Sequence, residues 1–268
     1  SVLTRDDTMK FLKWMLGCLG ALACSAALAQ AAFPSKPVNI VVPFPPGGAA
    51  DQPARLFSQA MNNVWKQPAV VNTRPGAGGA IGTVAVANAV ADGYTLLVTN
   101  DQLTVGASFA GASNYDVLKD FAPVGLVGYS PTLLIVNSNL PVRNFQDFMD
   151  LMRTTDRPLN YASAGEGTIP HLAAEMLRRT LEVQHSSLTS GEHHSGAAPA
   201  INALVRGQAQ WMFPSLFSAL PYLKSGKVKA LAIATPARLP EWPDISTLSE
   251  WGLDDFDLTQ WYALFAPS

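Results

Sequence analysis

Beyond residue 33, short apolar runs recur along the chain, each set off by glycine, proline or polar turn residues. "VNIVVPF" is followed by a helical pattern over about Asp51 to Val64, then "PAVVN", a helical stretch over about Gly79 to Ala91, and "YTLLVTN". Aliphatic runs this short favour strands, and apolar positions three and four apart between them favour helices. The alternation predicts βαβ units and a parallel sheet. Further on, "PTLLIVN" precedes Pro141 and a helix at about Phe145 to Thr154, and "LNYAS" leads to a helix near Ile169 to Leu181. "AQWMF", a helix near Phe217 to Lys224 and "KALAIAT" complete the pattern, with no internal repeat. The tail from Pro236 holds turn residues and three tryptophans and ends in the strand-like "QWYALFAP", which needs neighbours to cover its faces. So apolar a strand this near the terminus suggests a chain that stops short of a finished domain.

At 268 residues, 48% of them hydrophobic, the chain can bury one large core or two modest ones. Lys and Arg number 18 against 20 Asp and Glu, so no basic face is available to neutralise phosphates and nucleic acid is not an expected partner. Met9-Lys10-Phe11-Leu12-Lys13 is a short basic start, Trp14 to Leu28 an apolar small-residue stretch, and "ALAQAA" a small-residue exit. Together they read as an export signal, which makes the destination periplasmic; residues 1 to 8 precede the start at Met9. The stretch is too short and too alanine-rich for a membrane span, and no later run approaches the roughly 20 apolar residues that a span requires. Both cysteines, Cys18 and Cys24, fall inside the signal, so the exported chain is expected to have no thiol or disulfide. "ALAC" carries Ala21 where a lipoprotein box has a larger aliphatic, so lipid anchoring is the lesser reading.

Three glycine-rich stretches stand where strands turn into helices. In "VPFPPGGAADQPARLF", Gly47 and Gly48 allow close approach to the backbone, the prolines stiffen the loop, and Asp51 is placed either to cap the following helix or to touch a ligand. "NTRPGAGGAIG" repeats the device with Gly76, Gly78, Gly79 and Gly82. "YASAGEGTIPHLAAEM" does so again: Ser163 and Gly165 precede Thr168 as N-cap, Ile169, Leu172, Ala173, Met176 and Leu177 form the buried stripe, and His171 lies near the pocket mouth. One such loop is an ordinary tight turn. Three place unpaired N–H groups and helix dipoles at one crevice, a setting suited to an anion.

The segments "FPSKPVNIVVPFPPGGAAD", "NTRPGAGGAIG", "ADGYTLLV", "YDVLKDFAPVGLV", "YASAGEGTIPHLAAEM" and "VKALAIATPARLPEWPDISTLSEWGL" resemble, in order, those of the Bug-type solute-binding receptors of tripartite tricarboxylate transporters. The likeness runs from Phe33 to Ser268. It implies an α/β, two-domain fold of the type II periplasmic-binding-protein kind, no catalysis, no cofactor and no metal. It also implies a small organic carboxylate as ligand and the permease subunits of a tripartite transporter as partners. Positions matching the family's ligand loops are Phe44, Gly47, Gly48 and Asp51, then Ser163, Gly165, Thr168 and His171, then Phe213, with Asn100 and Asp101 closing "LLVTND". Two features depart from the family. "LTSGEHHSGAAPAI" replaces a Tyr-Lys-Gly-type segment, and the family's further strand and helix past "WYALFAP" imply an incomplete first domain here.

Other chemistries fit less well. "GAGGAIG" has Ile81 where a dinucleotide fingerprint needs glycine. Glu192 to Ser195, "EHHS", lack metal-ligand spacing and read as a solvated loop, and His185 is uninformative. An exported α/β hydrolase is the alternative, but there is no G-x-S-x-G elbow and no nucleophile evident beside a base at a strand-to-helix turn. Glu166 is read as facing solvent; facing inward, it would imply a ligand with a donor or cationic group. The expected division is a first domain of about 33–132 plus the tail from 236, and a second of 133–235, with "PTLLIVN" and "KALAIAT" carrying the two crossings.

Overall fold

Residues 33–109, 114–157, 159–181 and 190–268 are described by the computed structural model; the segment expected to be an export signal, with Cys18 and Cys24, and His185 lie outside the described residues. Within the unit Pro37–Ser268, two five-stranded sheets carry the fold. In the first, β1 (Val38–Val42) lies between β2 (Ala69–Thr73) and β3 (Thr95–Asn100), all parallel. The terminal strand β10 (Gln260–Pro267) fills the gap between β3 and β4 (Phe121–Ser130), antiparallel to both. The second sheet orders β7 (Gly191–His193), β6 (Tyr161–Ser163), β8 (Trp211–Met212), β5 (Thr132–Asn137) and β9 (Val228–Ala234), with β5 antiparallel to its neighbours. The expected parallel sheet is therefore corrected to two mixed ones, each with one reversed strand introduced where the chain passes between sheets.

Burial on both faces explains the continuous apolar runs. Alternate residues of β5 point into opposite cores: Leu134 and Val136 join Phe145, Phe148 and Trp211, while Leu133 and Ile135 join Ile201, Leu204 and Met212. In the first sheet, Leu96 and Val98 of β3 face the helix α1 (Asp51–Trp65), whose Ala54, Phe57, Met61 and Trp65 form a stripe at helical spacing, while Leu97 faces the other side. Helix α2 (Ala80–Ala87) covers that side together with α3 (Gln102–Phe109). On the second sheet, α4 (Phe145–Thr154), α5 (Ile169–Thr180), α6 (Ala197–Val205) and α7 (Leu216–Lys224) supply the cover. The stripe of α5 is turned slightly from the expected one: Ala173, Ala174 and Leu177 are buried, and Leu172 and Met176 are only half-buried.

The two passages between sheets lie side by side. Pro131, which has no N–H to donate, is the only residue between β4 and β5, so one strand bends into the next. Ser130 pairs with Gln260 and Thr132 with Ala234. The buried Thr132 hydroxyl donates to the Leu258 carbonyl at 2.6 Å and accepts from Gln260 Nε2 at 3.2 Å, joining the incoming strand to the returning one.

Candidate functional site

The first loop leaves β1 through Pro43 to Gly48 and closes a turn in which the Gly48 N–H donates to the Pro45 carbonyl at 3.3 Å. Ala50 occupies the cap position of α1, so the capping expectation for Asp51 is corrected: it is the first helical residue. There its charge favours the positive end of the helix, and its carboxylate reaches back. Oδ2 accepts from the Gly47 N–H and from Arg55 Nε, both at 2.9 Å, so the Gly47 amide braces the loop instead of facing a ligand.

The second loop runs through four consecutive residues of positive φ: Gly76 (132°), Ala77 (48°), Gly78 (61°) and Gly79 (100°). Glycine is required here on two grounds, since a Cβ on Gly79 would also lie 3.1 Å from the Phe44 ring. A Cβ on Gly78 would meet the Glu166 carbonyl at 3.6 Å, and one on Gly165 would lie 3.6 Å from the Gly78 Cα. At Gly196, just before α6, an added Cβ would stand 2.5 Å from Pro45 Cδ. The three glycine loops therefore converge, the second and third through backbone and the first through its Phe44 and Pro45 rings.

The third loop is held from behind by histidines. Ser163 closes β6 fully buried, its Oγ 2.7 Å from His193 Nδ1 and accepting from the Gly165 N–H at 3.3 Å. Thr168 is the N-cap of α5 by backbone conformation, but its hydroxyl donates to the Gly165 carbonyl at 2.6 Å and caps no amide. His171 Nδ1 accepts from the Gly167 N–H at 2.9 Å, which requires a neutral ring with that nitrogen unprotonated. Burial, and then the neighbouring His193 ring at 4.6 Å between centroids, hold its pKa below the usual 6.5. The solvated-loop reading of Glu192 to Ser195 is thus corrected: β7 pairs in parallel with β6, and His193, though its ring is exposed, is tied to Ser163. This is a hydroxyl beside an imidazole that the sequence does not reveal. Ser163 nevertheless lines neither cavity described below, and its Oγ points inward at the Gly165 peptide.

Two cavities meet at Phe44 and Gln102. The larger, about 420 Å³, is walled by Ala77–Ile81, Gln102, Gly106 and Tyr115 of the first sheet's side, with Glu166 reaching in from the other. The smaller, about 40 Å³, lies in the seam itself, among Gly48, Asn100, Asp101, Thr168, Ser215, Gln260 and Tyr262. The seam is closed. No lysine or arginine is among the described residues lining either space. Asp101 is 8% exposed, its Oδ1 has no hydrogen-bond partner among the described residues, and burial pushes its carboxyl up to about 7. Gln102 Oε1 is likewise buried and unpartnered.

The structure brings Phe44, Gly48, Asn100, Asp101 and Thr168 to the seam cavity. Gly47, Asp51, Ser163, Gly165 and His171 stand one layer behind and hold the loops in shape. Phe213 lies elsewhere: its ring is fully buried between Trp211 and Phe256 in the core of the second sheet. Glu166 is exposed, as expected, and also borders the larger cavity. Sequence reasoning missed Gln102, Tyr115, Ser215, Gln260 and Tyr262. The lone polar Gln260 opening an apolar terminal strand was the one available signal.

A model of the family described as "Tripartite tricarboxylate transporter family receptor" matches residues 54–268. The chain is 31% identical over 259 residues to the protein BugT of Bordetella pertussis, covering 94% of this chain and 78% of that one. Among solved structures, the periplasmic binding protein BugD superposes with a TM-score of 0.82 at 33% identity, covering 88% of this chain and 78% of BugD. MatC from Rhodopseudomonas palustris, solved with bound malate, superposes at 0.80 with 36% identity, covering 88% and 79%.

Proposed function

This chain belongs to the tripartite tricarboxylate transporter receptor family, and from that premise we propose that it captures a small organic carboxylate between its two sheets and delivers it to the membrane permease of a tripartite system. The family consists of periplasmic binding receptors, not enzymes, which removes the hydrolase alternative. The observation that carries the reading is the convergence of three glycine loops, each leading into a helix N-terminus, on one seam. Amides fixed in advance bind an anion without reorganising, so affinity comes from orientation more than from a buried cation. The malate held by MatC is a ligand of this chemical class.

The halves that close are the first sheet with its helices, 33–132 and 236–268, and the second, 133–235. They turn about the paired passages at Thr132 and Ala234, a hinge of the kind that binding proteins use. The N-terminal segment directs export to the periplasm, and among the described residues no helix is long and apolar enough to cross a membrane. Native mass spectrometry of the protein purified from its exporting host is the test. A bound carboxylic acid recovered unchanged, together with an upward melting shift on adding it back, is the expected result. Turnover of that compound, or no retained or added acid of any kind, overturns the proposal.

A further inference from the structure

Two adjacent residues that line the seam cavity each hold a buried acceptor with no partner among the described residues: Asp101 Oδ1 and Gln102 Oε1. A buried polar atom left unpaired is costly, and the cost is recovered when a donor arrives. The charge balance narrows what that donor is. Asp101 lines the small cavity and Glu166 borders the large one, while no lysine or arginine lines either among the described residues. A simple dicarboxylate would bring a second negative charge to this wall with no cation to meet it. A hydroxyl offers one hydrogen for two acceptors; an ammonium offers three, with a positive charge.

We propose that the cleft selects a carboxylate that also bears a cationic nitrogen, with Asp101 receiving that nitrogen and Gln102 Oε1 accepting a further hydrogen from it. This rests on the receptor reading above and names the class of its ligand. Burying Asp101 with no cation beside it destabilises the empty protein, because its carboxyl, held near neutrality by desolvation, is charged above pH 7. A buried carboxylate without a cation fits a ligand contact better than a packing group.

The test is calorimetric titration of the full purified chain with three matched series: succinate, malate and aspartate; glutarate, 2-hydroxyglutarate and glutamate; adipate and 2-aminoadipate. At whichever length fits, the amino member is expected to bind at least tenfold tighter than its hydroxy or unsubstituted counterparts. Asp101→Asn is expected to erase that margin while raising the melting temperature of the ligand-free protein at pH 8. A dicarboxylate or hydroxy acid binding as tightly as its amino analogue overturns the proposal. So does a margin that survives Asp101→Asn. Recovery of a nitrogen-free acid by native mass spectrometry leaves the receptor reading standing and this one refuted; no binding in any series and no co-purified acid refutes both.

Discussion

Replacing Gly196 by alanine puts the closure of the seam to a direct test. The added Cβ would stand 2.5 Å from Pro45 Cδ and 2.9 Å from Cγ, across the gap between the two halves. Carbon atoms rest comfortably at about 3.5–4.0 Å, so the seam must open by roughly 1 Å at this point. Overpacking of this size costs about 1–3 kcal/mol, and only the closed form carries it. The apparent Kd for the tightest-binding carboxylate should therefore rise about fivefold to 150-fold. Gly196 also has a φ of +148°, which alanine resists in open and closed forms alike. Gly207→Ala is the control, since Gly207 has a φ of +77° with nothing within 4 Å of an added Cβ. It should destabilise the fold by the left-handed penalty of about 1–2 kcal/mol, seen as a lower melting temperature, and leave Kd unchanged. Calorimetric titration and thermal melting of both variants decide the matter. Wild-type affinity in Gly196→Ala, or equal affinity losses in the two, would refute closure through the glycine seam.

Gly48→Val should abolish binding while circular dichroism shows an intact fold, because its branched side chain starts 3.2 Å from the Pro45 carbonyl and fills the seam cavity; undiminished affinity would exclude the first loop from ligand contact. Thr168→Ala removes the buried bond to the Gly165 carbonyl and should cost about 1 kcal/mol in denaturant titration, with only a few-fold loss of affinity; no stability loss would remove Thr168 from the bracing of the third loop. His171 has a folded pKa below its usual 6.5, so the unfolded chain binds more protons in that window and stability should fall as pH drops below about 6.5. His171→Gln, which keeps an acceptor for the Gly167 N–H but does not titrate, should flatten that part of the melting-temperature profile; an unaltered profile would assign the dependence elsewhere.

Strands and amphipathic helices were legible because their signals are local. Continuous runs such as "TLLIVN" and the stripe of α1 depend only on neighbouring residues. The same locality hid α3 and α6, short helices whose Gly106 and Pro199 weaken the local helical signal, and β7, a three-residue edge strand whose partner lies thirty residues earlier. Of the site, the glycine loops could be read because positive φ leaves a compositional mark. Asp51 could not be placed, because cap and first-turn positions share the same preference for aspartate and only the Gly47 contact separates them. Gln102, Tyr262 and the Ser163–His193 pair depend on contacts between distant segments, which no periodicity records. Phe213 shows the converse error, an aromatic at a strand end whose direction no pattern could give.

Because Thr132 hydrogen-bonds to both Leu258 and Gln260, neither strand of the connecting ribbon can twist without dragging the other. Two separate tethers would let the halves swivel, slide or splay; a cross-linked pair leaves chiefly one axis. On the receptor function proposed above, that leaves two outlines, jaws parted and jaws shut, so that a membrane partner would read occupancy from shape.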